Sequence, residues 1–253
     1  MRTIIAGILA VLFSLGAHAG SVLKMDSKDS TGKAEPFETY YAQDGMLRID
    51  RMDEHGGIKR TTLVRDGVVW EIDPAERTFT RVDAASVGQM AGASSSKMEA
   101  MMANLPPEKR AMMEARMAQM KQKAATTQFT FTDTGRSDKV GQYACRIWEE
   151  QKNGKPFGQY CVVPASSLPA GGELEASLKK ATATAGQIIG SVPMLAAPAE
   201  HLTRLGQMNG FPASSRISGG GEHVLTSAQA QSLPADKFAI PQGFTERKLG
   251  ERE

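Results

Sequence analysis

Cys145 and Cys161 are the only two cysteines in the chain, and their spacing decides what chemistry they could do. Thiol exchange favours a Cys-x-x-Cys pair in an electropositive setting. Here fifteen residues of strand-like sequence and turn lie between the two, which suits a structural disulfide formed in an oxidising compartment. Histidine offers little beyond this. His55 sits between acidic neighbours in Asp53-Glu54-His55-Gly56-Gly57, but no second histidine stands at metal-ligand spacing, so it reads as a solvated loop tip. His201 and His223 read as surface or packing residues. No G-x-S-x-G, H-E-x-x-H, dinucleotide or P-loop pattern is present. Gly219-Gly220-Gly221 lacks the helix start that a phosphate cradle needs and reads as a hairpin tip. The expectation is a protein without catalysis, metal or cofactor.

The other concentration of chemistry is sulfur in thioethers. Eight of the fourteen methionines lie between Met90 and Met120. They could pack a helical segment onto a sheet, form an adaptable surface for an acyl chain or an unfolded client, or bind a soft metal such as copper(I). The metal reading lacks the His or Cys partner that thioether sites usually recruit.

These groups must be positioned by a sheet. From Phe37 to Val82 apolar residues recur every second position, as in Leu47 and Ile49, or Val68, Trp70 and Ile72, which is the period of a strand with one face buried. Asp44-Gly45 and Asp66-Gly67 can reach the positive φ angles of tight hairpins, and Asp73-Pro74 presets a type I turn. The result is an antiparallel meander, preceded by strands over Ser21 to Ser27 and Glu35 to Gln43. Phe129 and Phe131 alternate with threonines in a further strand. Beyond it, strands at Gln142 to Glu150 and Pro156 to Val163 flank a loop. A three-residue loop of Lys152, Asn153 and Gly154 would place Cys145 opposite Cys161 and Trp148 across from Gly158. Gly210 to Ile217, Glu222 to Ser227 and Lys237 to Ile240 read as closing strands.

Helical spacing appears twice. Ala84 to Ser96 reads as a linker rich in Ala, Ser and Gly. Met98, Met101, Met102 and Leu105, and then Met113, Met117 and Met120, recur at i, i+3 or i+4 and i+7. Pro106-Pro107 separates the two runs, with Pro107 suited to the first turn of the second helix. Leu174 to Ile189 carries an apolar stripe, and Met194 to Met208 reads as another helix. The fold class expected from these elements is α+β: an antiparallel sheet with Met-rich and Ala-rich helices packed on it. One domain over 20–253 would carry helical insertions at about 98–123 and 173–208.

Met1-Arg2, the apolar run Ile4 to Leu15 and Ala17-His18-Ala19 have the form of a cleavable export signal. The run is too short to span a bilayer. Cleavage after Ala19 would release a periplasmic protein that is not embedded in the membrane, with a net charge of about +1. That charge argues against a nucleic-acid partner.

Tyr41 to Asp50 with its Asp44-Gly45 turn and Arg48, followed by Val68-Val69-Trp70 and Asp73-Pro74, resembles the domain-of-unknown-function 4412 family of exported bacterial proteins. A weaker echo lies in Gly210-Phe211-Pro212 and Phe238 to Gly243. The family is thought to be similar to the Lol-type lipoprotein carriers, so the resemblance implies a strongly curved antiparallel half-barrel, with the Met-rich and Ala-rich helices on or closing its concave face over an apolar cavity. The function expected is an exported binding protein for a lipid or lipoprotein acyl group, with Trp70, Met102, Met113, Met117 and Met120 as apolar ligand contacts. The run from Pro106 to Met120 also resembles the helices of periplasmic stress chaperones of the Spy and Cpx-inhibitor type. That resemblance supplies the rival function, an envelope-stress or chaperone-like protein binding apolar clients through the Met-rich helix.

Overall fold

A computed structural model describes residues 19–190, 206 and 208–251. The proposed export signal, up to residue 18, and most of the helix expected over Met194 to Met208, with His201, lie outside the described residues.

The meander forms where its turn residues direct it. Strands β1 (Gly20–Lys28), β2 (Ala34–Gln43), β3 (Met46–Met52), β4 (Ile58–Arg65), β5 (Val68–Asp73) and β6 (Thr78–Val82) pair in succession. Asp44 and Gly45 (φ 53° and 70°) and Asp66 and Gly67 (φ 54° and 72°) are two-residue turns with both central residues left-handed. Such turns twist in the same sense as the strands they join. Strands β7 (Phe129–Val140), β8 (Tyr143–Lys152), β9 (Lys155–Val163), β10 (Phe211–Ile217) and β11 (Glu222–Gln231) build the other half. The final strand β11 of this half pairs with β1, so the first strand of the chain lies in the middle of one open twelve-stranded sheet. A short strand β12 (Thr245–Glu246) adds in parallel beside β6. The register shifts within the pairings β1–β11, β1–β2, β9–β10, β3–β4, β7–β8 and β8–β9, and bulges of this kind bend and twist a sheet. The result is the curved α+β sheet expected from the sequence.

Among the described residues three α-helices accompany it. The segment Ala84 to Ser96 is not a linker but the body of helix α1 (Ala84–Ala103). Asp83 caps it: its carboxylate accepts from the Ser86 amide at 2.8 Å while the Ser86 hydroxyl accepts from the Asp83 amide at 2.9 Å. This reciprocal box satisfies two amides that a helix start leaves orphaned. Helix α2 (Pro107–Thr126) follows after the break, with Pro107 at its first position. Arg110 donates back to the Met102 and Ala103 carbonyls, closing the end of α1. Helix α3 (Gly171–Gly190) buries Leu174, Ser177, Ala181, Thr184 and Ile188. The small side chains in that stripe let α3 lie close across β1 to β5, and α1, whose Val87 is buried, also contacts α3.

Both faces of the β1 to β6 half are covered. Tyr40, Ala42, Leu47, Val64 and Val69 share one face with Leu174 and Ala181 of α3. Tyr41, Leu63, Trp70 and Ile72 face the other way and are covered by Leu233 and Phe238. Lys237 to Ile240 is therefore not a closing strand: Ala235–Phe238 is a single 3-10 turn that seats the fully buried Phe238 against the sheet.

The Cys145–Cys161 disulfide is present, with Cα atoms 5.4 Å apart, but the expected register is corrected. The loop has two residues, Asn153 and Gly154 (φ 53° and 74°), and pairs Lys152 with Lys155. A register shift beyond Gln151 then sets Ile147 opposite Cys161 and Trp148 opposite Tyr160. The disulfide is thus a diagonal bridge between neighbouring strands. Gly158 faces Glu150 instead of Trp148, and a Cβ there would stand 2.9 Å from the Glu150 carboxylate.

Candidate functional site

A cleft of about 430 Å³ opens between α3 and the sheet. Met25 from β1, Tyr40 from β2, Leu178 from α3, and Met208, Phe211 and Pro212 at the start of β10 supply its apolar lining. The ring of Tyr40 meets that of Phe211 edge-on, with centroids 6.0 Å apart. Periodicity explains each placement. Tyr40 points to the α3 face because strand residues alternate, and Leu178 lies one turn beyond Leu174 on the helix.

Polar groups gather at one side. Glu38, buried, accepts hydrogen bonds from Tyr40 Oη at 2.9 Å and from Arg51 Nε and Nη2 at 2.9 and 2.7 Å. Burial first, and then the Glu38 carboxylate, push the Tyr40 phenol well above its ordinary range, so it stays a neutral donor. The hydrogen bond to Glu38 in turn raises the Arg51 guanidinium. On the solvent side Lys179 Nζ pairs with Glu175 Oε1 at 2.6 Å, one helical turn apart, and His223 borders the cleft. The arrangement combines an apolar slot with two ion pairs near its mouth. A neutral phenol and a carboxylate already engaged by a guanidinium hold no activated nucleophile. Among the described residues no group of three His, Cys, Asp or Glu side chains is placed to hold a metal ion, and no helix is long and apolar enough to cross a membrane.

The five residues expected to contact a ligand do not converge on this cleft. Trp70 lies on the sheet face opposite α3, edge-on to Phe79 at 5.8 Å with the Arg81 guanidinium 5.7 Å from its ring. Met102, Met113 and Met117 are half-buried on the α1–α2 hairpin, and Met120 is 50% exposed. Among the described residues, the three clusters of buried apolar side chains include no methionine between Met90 and Met120.

The residues missed carried a signal in part. A two-residue Asp44-Gly45 turn pairs Gln43 with Met46, and counting outward along both strands pairs Glu38 with Arg51. An opposite-charge pair facing each other across strands is legible by that count. A second polar group, on the Trp70 face, shows the same logic. Arg48 and Asp50 lie two residues apart on β3, both buried, with Nε to Oδ1 2.7 Å. Thr61 donates to the same Asp50 oxygen at 2.6 Å, Lys237 Nζ stands 3.4 Å from the other, and Arg48 donates to the Lys237 carbonyl at 2.9 Å. This group fastens the 3-10 turn to the sheet.

Comparison with known proteins adds little to the geometry. No family model matches the chain, and no curated protein does. Among solved structures it is similar to an uncharacterized conserved protein from Thermus thermophilus, with a TM-score of 0.44 and 6% identity over 91% of this chain and 90% of that one. It is also similar to PNGF-II, with a TM-score of 0.44 and 9% identity. That match covers 91% of this chain and 31% of PNGF-II. Likeness at this level says nothing about activity.

Proposed function

We propose that the protein is an exported, non-catalytic binding protein that takes an amphiphilic apolar ligand, a lipid or lipoprotein acyl group, in the cleft between α3 and the sheet. The cleft carries the reading: its volume of about 430 Å³ falls within the range of small-molecule sites, about 300–1,000 Å³. An acyl chain would lie on Met25, Tyr40, Leu178 and Phe211, and a polar headgroup would meet the Arg51–Glu38 and Lys179–Glu175 pairs at the mouth. The disulfide fits an oxidising compartment, and with the sequence's export signal this supports the periplasm. Membership of the domain-of-unknown-function 4412 family and kinship with the Lol-type carriers belong to the same proposal.

The test is titration with a fluorescent fatty acid, together with mass spectrometry of organic extracts of the natively purified protein. Saturable binding that Leu178→Trp abolishes at an unchanged thermal midpoint is expected. The absence of saturable binding, or binding indifferent to Leu178→Trp, would refute the cleft as the site.

The rival chaperone-like reading draws on Met90, Met98, Met101, Met112 and Met120, all exposed on α1 and α2. Suppression of a denatured client's aggregation, lost when Met101, Met112 and Met120 become Gln, would favour it over the cleft.

A further inference from the structure

One exposed side of α2 has an order that neither packing nor the cleft uses. Lys109, Met112, Arg116, Met120 and Lys123 recur at intervals of three or four residues, so they form one stripe along the helix. All five are exposed, Met112 at 70% and Met120 at 50%. The inner face is a different set: Arg110, Met113 and Met117 are half-buried, and Arg110 is committed to the carbonyls that end α1. Of the two acids of α2, Glu114 is half a turn away from both Met112 and Arg116, while Glu108, in the first turn where it suits the helix dipole, lies one turn before Met112 and borders the stripe at its N-terminal end.

We propose that this stripe docks α2 onto an anionic lipid surface. Three cations against the single acid Glu108 at the N-terminal end complement anionic headgroups, and two unbranched thioethers between them can enter the headgroup and acyl boundary. The methylene stems of Lys109, Arg116 and Lys123 extend the apolar strip while their charges stay in the phosphate layer. A soft metal does not fit, because Met112 and Met120 are eight residues, about 12 Å, apart along the axis. An unfolded client would use the methionines but has no need of the aligned cations.

The experiment is flotation of the mature full chain with vesicles of phosphatidylethanolamine and phosphatidylglycerol, against vesicles of phosphatidylcholine alone, at low and high salt. Binding to the anionic vesicles only, weakening as salt rises, is expected. Each basic side chain near an anionic leaflet contributes roughly five-fold, so Lys109→Gln/Arg116→Gln/Lys123→Gln should weaken partitioning about 100-fold. Met112→Gln/Met120→Gln should weaken it several-fold. A charge-matched control, Lys28→Gln/Lys33→Gln/Lys155→Gln, alters exposed residues of two hairpins and should bind like the wild type. Equal loss in that control would reduce the effect to net charge and overturn the proposal. So would equal binding to both vesicle types, a stripe variant that binds like the wild type, or client protection without vesicle binding.

Discussion

Removing the carboxylate of Asp50 should cost far more than a surface ion pair would. Asp50 is 1% exposed and holds the Arg48 guanidinium, the Thr61 hydroxyl and the Lys237 ammonium at once. In Asp50→Ala the Arg48 charge stays buried, with only the Lys237 carbonyl and the Thr61 hydroxyl left to it. Leaving a buried charge uncompensated costs about 3–5 kcal/mol. At about 2–4 °C per kcal/mol for a chain of this size, the thermal midpoint should fall by roughly 6–20 °C. Exchanging both partners for apolar residues, Arg48→Met/Asp50→Leu, removes the orphan as well as the pair, so the double variant should be more stable than Asp50→Ala. Urea unfolding of the wild type, Arg48→Met, Asp50→Leu and the double variant closes the cycle. A coupling energy below about 0.5 kcal/mol, meaning that the two losses simply add, would refute the claim that the pair acts as a unit. Because Arg48 and Lys237 tie the 3-10 turn down, Asp50→Ala should also speed proteolysis between residues 233 and 245.

Reduction of the Cys145–Cys161 disulfide should destabilise the protein by about 3 kcal/mol, and neither sulfur should react with thiol reagents beforehand; two reactive thiols in the native protein would count against the bridge. Burial raises the Glu71 carboxyl above its ordinary value, outweighing the Thr62 hydrogen bond and the charges of Arg60 and Arg51. The folded state therefore binds the proton more tightly, and this group's contribution to stability is lost as pH rises from the ordinary Glu value through the raised one. Glu71→Gln should accordingly raise the melting temperature at neutral pH, with the gain vanishing in acid, and an acid-independent gain would show another cause. Asp83→Ala deletes the α1 cap and should cost about 1 kcal/mol. Hydrogen exchange should quicken in the first turn of α1 while the sheet stays protected.

Local chemistry made much of the sheet legible. Asp44-Gly45 and Asp66-Gly67 specify two-residue turns because few residue pairs tolerate two left-handed conformations in succession, and each turn then sets the register of its strands. The alternation of Val69 with Trp70 follows from backbone pleat alone, as does the opposite facing of Tyr40 and Tyr41. The disulfide partners were determined by number, since two cysteines allow one bridge within the chain. Where several local solutions differ little in energy, tertiary structure decided. Asn153-Gly154 could serve a two- or a three-residue loop, and the register shift that moves Cys161 opposite Ile147 lies between Glu150 and Gln151, in the strands and not in the turn. The Ala84 to Ser96 composition is ambiguous until α1 packs against α3 and β6, Val87 is buried and the Asp83 box closes. Lys237 reaches Asp50 across 187 residues of sequence, and the cleft assembles from β1, β2, α3 and β10. Contacts between distant segments are selected by the packing of whole layers, where burial is shared among many residues, and no window of the sequence contains that sum.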